Sequence, residues 1–247
     1  MIAPSVKVGD TFPNNKWGMF TVIEYISAKK IKIKFFITNS IKYTSAQAIN
    51  KGNIRDTQFP SIYGIGYVGT GKFSKAKYKN IYSIWVMMLA RCYDTKTQIT
   101  QKTYINCTVC SNWFNFQNYA TWYTENVIKN WEVDKDLLLK GNKIYSPDTC
   151  IFVPRKINII FHNKKQNYLP GVEKLPYGKY RSSIGIEGKK TQLGIYESEK
   201  EAHLAYCQYK AIQIENIILN EKNLPTKLIP ILKSRIAELK LGIYFIN

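Results

Sequence analysis

Hydrophobic and polar positions follow two different repeats along this chain. Phe20-Thr21-Val22-Ile23-Glu24-Tyr25-Ile26 is a β-branched and aromatic run. In Ile31-Lys32-Ile33-Lys34-Phe35-Phe36-Ile37 apolar residues alternate with lysine, the two-residue repeat of a half-buried strand. Residues 1–65 therefore read as small all-β structure. From 78 to 91 the repeat becomes helical, with Tyr78, Ile81, Tyr82, Trp85, Met88 and Leu89 on one face and Arg91 at its end. A second helix is predicted over 112–128, carrying Trp113, Phe114, Phe116, Tyr119, Trp122 and Tyr123. Stripes of this kind are core-packing surfaces. Residues 131–138 read as a strand, Gly141-Asn142 as a turn and Ser146-Pro147-Asp148 as a turn or cap. A short strand over 150–154 and a helix from Arg155 complete a ββα unit. Strands over 180–186 and 191–196 flank a hairpin turn in which Gly188 supplies positive φ. Ser198 and Glu201 form a capping box for a helix with apolar face Ala202, Ala205, Tyr206, Tyr209 and Ile212, and one more amphipathic helix lies within 225–241.

These elements predict a modular α+β chain. The expected parts are a β-rich, barrel-like domain at 1–65, a Gly/Lys-rich linker at 66–79, a ββα domain with helices at 80–165, a three-stranded sheet plus helix at 166–217, and a C-terminal helix at 218–247. Gly64, Gly66, Gly69 and Gly71 do not lead from a strand into an apolar helix with an acidic residue downstream. A dinucleotide site is therefore rejected in favour of a flexible linker or turn cluster.

Charge changes the picture. Hydrophobic residues make up 45% of the 247 and aromatics 14%, which favours folded material, yet the net charge is +19. An excess this large in a folded chain points to a polyanion, with nucleic acid first and an anionic membrane surface second. Residues 1–130 hold 17 of the Lys and Arg against 5 Asp and Glu, so backbone tracking is expected mainly there. Lys29, Lys30, Lys32 and Lys34 are either edge-strand protection or phosphate contacts, and Lys72, Lys75 and Lys77 suit a basic segment lying along a groove. Apolar runs are short and interrupted, and Met1-Ile2-Ala3-Pro4-Ser5-Val6-Lys7 lacks the features of a signal peptide, so no membrane association is expected. The odd number of cysteines suggests reduced thiols in a cytoplasm. Cys107 and Cys110 with Cys92 and Cys150 could form a zinc site, although buried apolar thiols are the commoner outcome of such a pattern.

Gly171-Val172, Pro176-Tyr177-Gly178-Lys179-Tyr180, Leu193-Gly194-Ile195-Tyr196, Glu201-Ala202 and Ala205-Tyr206 stand in the order of the plant ethylene-response (Apetala-type) DNA-binding domain, which this segment resembles. The resemblance implies a three-stranded sheet on one helix that reads duplex DNA in the major groove. Lys174, Tyr177, Lys179, Tyr180 and Arg181 are the implied contacts. Glu173, Leu175 and Gly185 stand where that family often carries arginine.

A second resemblance rests on Tyr82, Trp85, Met88, Arg91-Cys92-Tyr93, Val109-Cys110, Trp113, Val133-Asp134-Lys135-Asp136, Gly141-Asn142, the run from Tyr145 to Cys150, Phe152-Val153 and Asn158. Together they resemble the HNH region of phage homing-endonuclease-like proteins, which often precedes an Apetala-type domain. That resemblance implies a phage-encoded protein acting in the host cytoplasm. It also implies a ββα finger that cuts or nicks DNA with one Mg²⁺ or Mn²⁺. Asp134 and Asn158 match metal ligands, with His162 one turn later as the other candidate. Lys135 stands where the histidine base is expected, and Asp136 is the alternative base or ligand. A lysine is poorly suited as a base unless strongly desolvated. Two rival readings stand beside the nuclease: a DNA-binding repressor or site-occupancy factor, and an RNA-binding or host-inhibitor protein. A monomer is the default for each.

Overall fold

Alternation of lysine with isoleucine and phenylalanine decides the first sheet. In the computed structural model, which describes residues 6–161, 167–186 and 188–243, strands β1 (Thr11–Asn14), β2 (Gly18–Ser27), β3 (Lys30–Phe35) and β4 (Ile41–Thr44) form an antiparallel meander in that order. Ile31, Ile33 and Phe35 turn inward onto Phe20, Val22, Ile49 and Ile54, while Lys30 and Lys34 face solvent. The expected barrel does not close. Edge strands β1 and β4 have four residues each, and Ser45 caps helix α1 (Ala46–Asn50) immediately after β4, turning the chain away before its edge can pair.

Helix α2 (Lys79–Tyr93) buries Tyr82, Trp85, Met88, Leu89 and Cys92, the stripe read from the sequence. Helix α3 (Thr95–Thr100) and the short strand β5 (Thr108–Val109) follow. The predicted helix over 112–128 begins instead as a 3₁₀ turn at Ser111–Phe114 and resumes as α4 (Phe116–Asn126). Trp85 donates its indole N–H to the Trp113 carbonyl at 2.7 Å, and Tyr82, Trp85 and Phe116 pack ring against ring. The glycine-rich stretch is part of this packing and has no slack. Buried Gln117 accepts the Phe73 N–H at 3.0 Å and donates to the carbonyls of Val68 and Phe73, both at 2.9 Å. Gly69 and Gly71 lie so close to the Asn115 and Gln117 amides that a Cβ at either would overlap them.

The chain divides into two compact units, residues 1–125 and 126–247. The division falls inside the expected 80–165 domain, so the aromatic helices and the ββα segment belong to different units.

In the second unit β6 (Trp131–Asp134) pairs antiparallel with β8 (Ile151–Pro154), β7 (Ile144–Tyr145) lies between them in sequence, and α5 (Arg155–Phe161) follows β8 directly. Strand β6 stops at Asp134 rather than 138, because Asp134 Oδ1 accepts the N–H groups of Asp136 and Leu137 at 2.8 and 2.7 Å and turns the backbone. Strands β9 (Val172–Lys174), β10 (Tyr180–Ile186) and β11 (Lys189–Tyr196) make an antiparallel sheet with β10 in the centre. Helix α6 (Glu199–Asn220) opens on the predicted capping box and packs on this sheet, with α7 (Leu228–Lys240) against it. One core joins Leu137, Ile151, Val153, Ile157 and Ile160 to Ile184, Tyr206, Cys207, Ala211 and Ile214 and to Leu228, Leu232, Ile236 and Leu239.

The buried face of α6 differs from the predicted one. His203, Cys207 and Lys210 are buried, whereas Ile212 is 48% exposed. The polar members are tolerated because each has a partner: His203 Nδ1 donates to the Pro170 carbonyl at 2.9 Å, and Lys210 Nζ donates to the Ile160 carbonyl. Among the described residues no helix is long and apolar enough to cross a membrane.

Candidate nucleic-acid interface

The ββα segment places the implied catalytic residues in structural roles. Asp134 spends one carboxylate oxygen on two backbone N–H groups, and burial raises its pKa against the lowering effect of those hydrogen bonds. Lys135 is buried, and its Nζ donates to Asp136 and, at 3.1 Å, to the Asn142 carbonyl, while lying 5.7 Å over the Tyr145 ring. Asn142 returns a hydrogen bond from its amide to the Lys135 carbonyl at 2.8 Å, so the Lys135 segment and the Gly141-Asn142 turn are laced together. The strand ends at Asp134, and Asp136 is the ion-pair partner of Lys135, while its charge still helps to raise the Asp134 pKa.

Asn158 does not meet Asp134. Its amide donates to Glu132 Oε2 at 2.8 Å, and Arg155 Nε lies 3.9 Å from Glu132 Oε1. Glu132 is the residue that sequence reasoning missed. Its position two residues before Asp134, on the same strand face, was the available signal. Glu132 already faces a guanidinium and an amide N–H, Asp134 Oδ1 is engaged in its turn, and Lys135 brings a positive charge. Among the described residues no three His, Cys, Asp or Glu side chains converge where a metal ion could be held. His162 lies outside the described residues.

Of the implied contacts, the sheet of β9, β10 and β11 carries Arg181 on the face away from α6, while alternation puts Lys174 and Tyr180 on the opposite side of the sheet from Arg181. Register aligns Glu173, Arg181 and Ile195 in one outward row, and Val172, Ser182 and Gly194 in the inward row. Gly171 abuts the Tyr206 ring of α6 so closely that any side chain there would overlap it. A bulge between Ser182 and Ser183 shifts the register beyond it, so Lys190 pairs with Gly185 and its Nζ reaches Glu173 Oε2 at 3.1 Å. Arg181 Nη1 lies 3.7 Å from the same oxygen. One carboxylate thus serves two cations. The hydrogen bond from Lys190, then the charges of Lys190 and Arg181, hold the Glu173 pKa below the usual carboxylate range. Lys179 pairs with Glu197, whose hydrogen bond raises the lysine pKa. Lys174 lies 5.9 Å over the Tyr180 ring, and Tyr177 projects into solvent from the turn, 63% exposed. Leu175, at a place where an arginine is frequent in the resembled family, is buried, and Gly185 leaves the surface beside Lys190 bare.

In the first unit, β3 presents Lys30, Lys32 and Lys34 on the open face of the meander, with Lys29 in the preceding turn. Lys30 and Lys32 lie 5.3 and 5.8 Å over the ring of Tyr43, which is 49% exposed, and Lys32 also sits 3.7 Å from Glu24. Lys72 and Lys77 lie over the rings of Phe73 and Tyr78, and Lys75 lies over Tyr82. The ammonium groups of these lysines thus lie within cation–π distance of the rings.

The candidate zinc cysteines are thiols, with Cys92, Cys107 and Cys150 buried and Cys110 half-buried. Cys150 belongs to the second unit and the other three to the first. Burial pushes the Cys150 pKa up to about 12, the behaviour of an apolar packing thiol. Comparisons of the chain with protein-family models, with curated proteins and with solved structures find no match.

Proposed function

We propose that this protein binds double-stranded DNA, that the sheet of β9 to β11 selects the sequence, and that the ββα segment is scaffold rather than cutter. The observation that carries this reading is the division of the sheet into two faces. Its inner face packs on α6, and its outer face bears Glu173, Arg181 and Lys190. A short antiparallel sheet of this kind is narrow enough for the major groove, where arginine and lysine read base edges. The lysines of the first unit and the net charge of +19 supply sequence-independent attraction to phosphate. A repressor or site-occupancy factor is the role that fits binding without cleavage.

Glu173 gives the proposal a sharp test. Its charge offsets Arg181 and Lys190 on the reading face. Glu173→Gln is expected to tighten duplex binding several-fold across all sequences. Arg181→Ala is expected to weaken binding and to flatten the preference obtained by selecting from a randomised duplex pool. No enrichment by the wild-type protein, or the same enriched sequence from Arg181→Ala, would contradict the assignment. The lysine-flanked Tyr43 favours a second reading, single-strand binding by base stacking. Tighter binding of single-stranded DNA or RNA than of duplex, lost in Tyr43→Ala, would establish it instead.

A further inference from the structure

We propose that the open face of the β1 to β4 meander is a docking surface for single-stranded nucleic acid, in addition to the duplex contact assigned to β9 to β11. It rests on the nucleic-acid-binding reading and adds a second form of substrate to it. Strand register fixes what this face carries. Phe20 pairs with Phe35 and Val22 with Ile33, and all four are buried. Alternation sends their neighbours to the other side of the sheet. There Thr21, Lys34 and Ile41 form one cross-strand row, and Glu24, Lys32 and Tyr43 form the next. Phe36 donates its N–H to the Met19 carbonyl at 2.9 Å, so the same register continues one pair further and adds Met19 and Phe36 to the face.

A sheet with one packed face ordinarily turns polar residues to solvent on the other. Here Met19, Phe36, Ile41 and Tyr43 stay 38–55% exposed on that side, the signature of a surface that takes a partner. Charge and ring chemistry identify the partner. Lys30, Lys32 and Lys34 recur at every second position of β3, about 6.6 Å apart, so a line of positive charge runs beside the aromatic side chains. Lys30 and Lys32 Nζ lie 5.3 and 5.8 Å over the Tyr43 ring, which ties two of these charges to the ring. Glu24 offsets Lys32 alone, at 3.7 Å. Aromatic rings beside a line of cations take bases by stacking while the lysines meet the phosphates. A duplex hides its base faces and offers Phe36 and Tyr43 nothing to stack on. A second copy of the chain would set lysine against lysine across a two-fold contact. An anionic bilayer would have to accept Thr21 and Glu24 in the middle of the face.

The test measures binding of the full chain to a fluorescent oligothymidylate about 16 nucleotides long and to a blunt random-sequence duplex, over a range of salt concentrations. Wild-type protein is compared with Phe36→Ala, Tyr43→Ala, Tyr43→Phe, Lys34→Ala and Arg181→Ala, with circular dichroism as the check on folding. Phe36→Ala and Tyr43→Ala are each expected to weaken oligonucleotide binding about tenfold and to leave duplex binding unchanged, while Tyr43→Phe keeps both. Lys34→Ala is expected to lower the slope of log K against log salt for the oligonucleotide by about 0.7, as for one lost single-strand phosphate contact. Arg181→Ala is expected to weaken duplex binding alone. Wild-type protein that binds duplex but not the oligonucleotide, or alanine variants that bind the oligonucleotide like wild type, would overturn the surface and leave the duplex reading standing. Oligonucleotide binding lost in Phe36→Ala and Tyr43→Ala, without duplex binding, would support the surface and overturn the duplex reading. Binding to phosphatidylserine vesicles that Phe36→Ala loses, with no oligonucleotide binding, would assign the face to a membrane surface and overturn the inference. Absence of binding to both nucleic acids would overturn the surface together with the reading it rests on.

Discussion

Asp134 and Lys210 show how a titratable group can serve the fold. Asp134 looks like a metal ligand in the sequence, yet its carboxylate holds the turn that ends β6. Removing it strands two backbone N–H groups at a partly buried position. Asp134→Ala is expected to lower stability by about 1–3 kcal/mol, and Asp134→Asn, which keeps the acceptor, by clearly less. Urea unfolding of both variants checks this, and equal losses would show that the turn does not depend on that oxygen. Loss of function in Asp134→Ala is therefore not in itself a sign of chemistry. Lys210 was invisible as a special residue in the sequence. Burial lowers its pKa to about 8, against an ordinary lysine value of about 10.4. The unfolded chain therefore keeps this proton to higher pH than the folded one, and stability from this group rises as pH increases from about 8 to about 10.4. Relative to Lys210→Met, the wild-type protein is expected to gain about 2 kcal/mol between pH 7 and about pH 9.5 in urea unfolding. Parallel pH profiles for the two proteins would contradict the assignment.

Elements were legible where one local rule decided them. The Lys/Ile alternation gave β3, the aromatic stripe gave α2, and the Ser198/Glu201 pair marked the start of α6. Legibility failed where a distant or side-chain partner took over. A single Asx-type turn shortened β6, α1 turned the chain away before the meander could close, and α6 buried His203 and Lys210 because partners across the core accepted their hydrogen bonds. The glycine-rich stretch is the clearest case. Composition read it as a linker, but its glycines permit close approach to Asn115 and Gln117, residues more than 40 positions downstream. Gly71→Ala is expected to push Gln117 off its hydrogen bonds to Phe73 and to destabilise the protein by about 1–3 kcal/mol in urea unfolding. An unchanged midpoint would show that the segment is the slack linker its composition suggests.

At the scale of the whole molecule, charge and architecture make separate contributions. Each unit has its own basic residues: the lysines of β3 and those of residues 72–79 in the first, and Arg181 and Lys190 on the outer face of β9 to β11 in the second. The order of sheet, hairpin and capped helix in residues 172–220 was readable from the sequence. The neutralising role of Glu173 was not, because it depends on a bulge that brings Lys190 beside it. The candidate nuclease residues were legible as a motif, but their engagement was not, since Lys135, Asp136 and Asn142 satisfy one another only in three dimensions. One measurement separates binder from cutter. Supercoiled plasmid is incubated with the protein in Mg²⁺, in Mn²⁺ and in chelator, and retardation and nicking are read on the same gel. The account predicts retarded, intact plasmid under all three conditions. Metal-dependent nicking abolished by Glu132→Ala and Asn158→Ala, or no retardation at all, would contradict it.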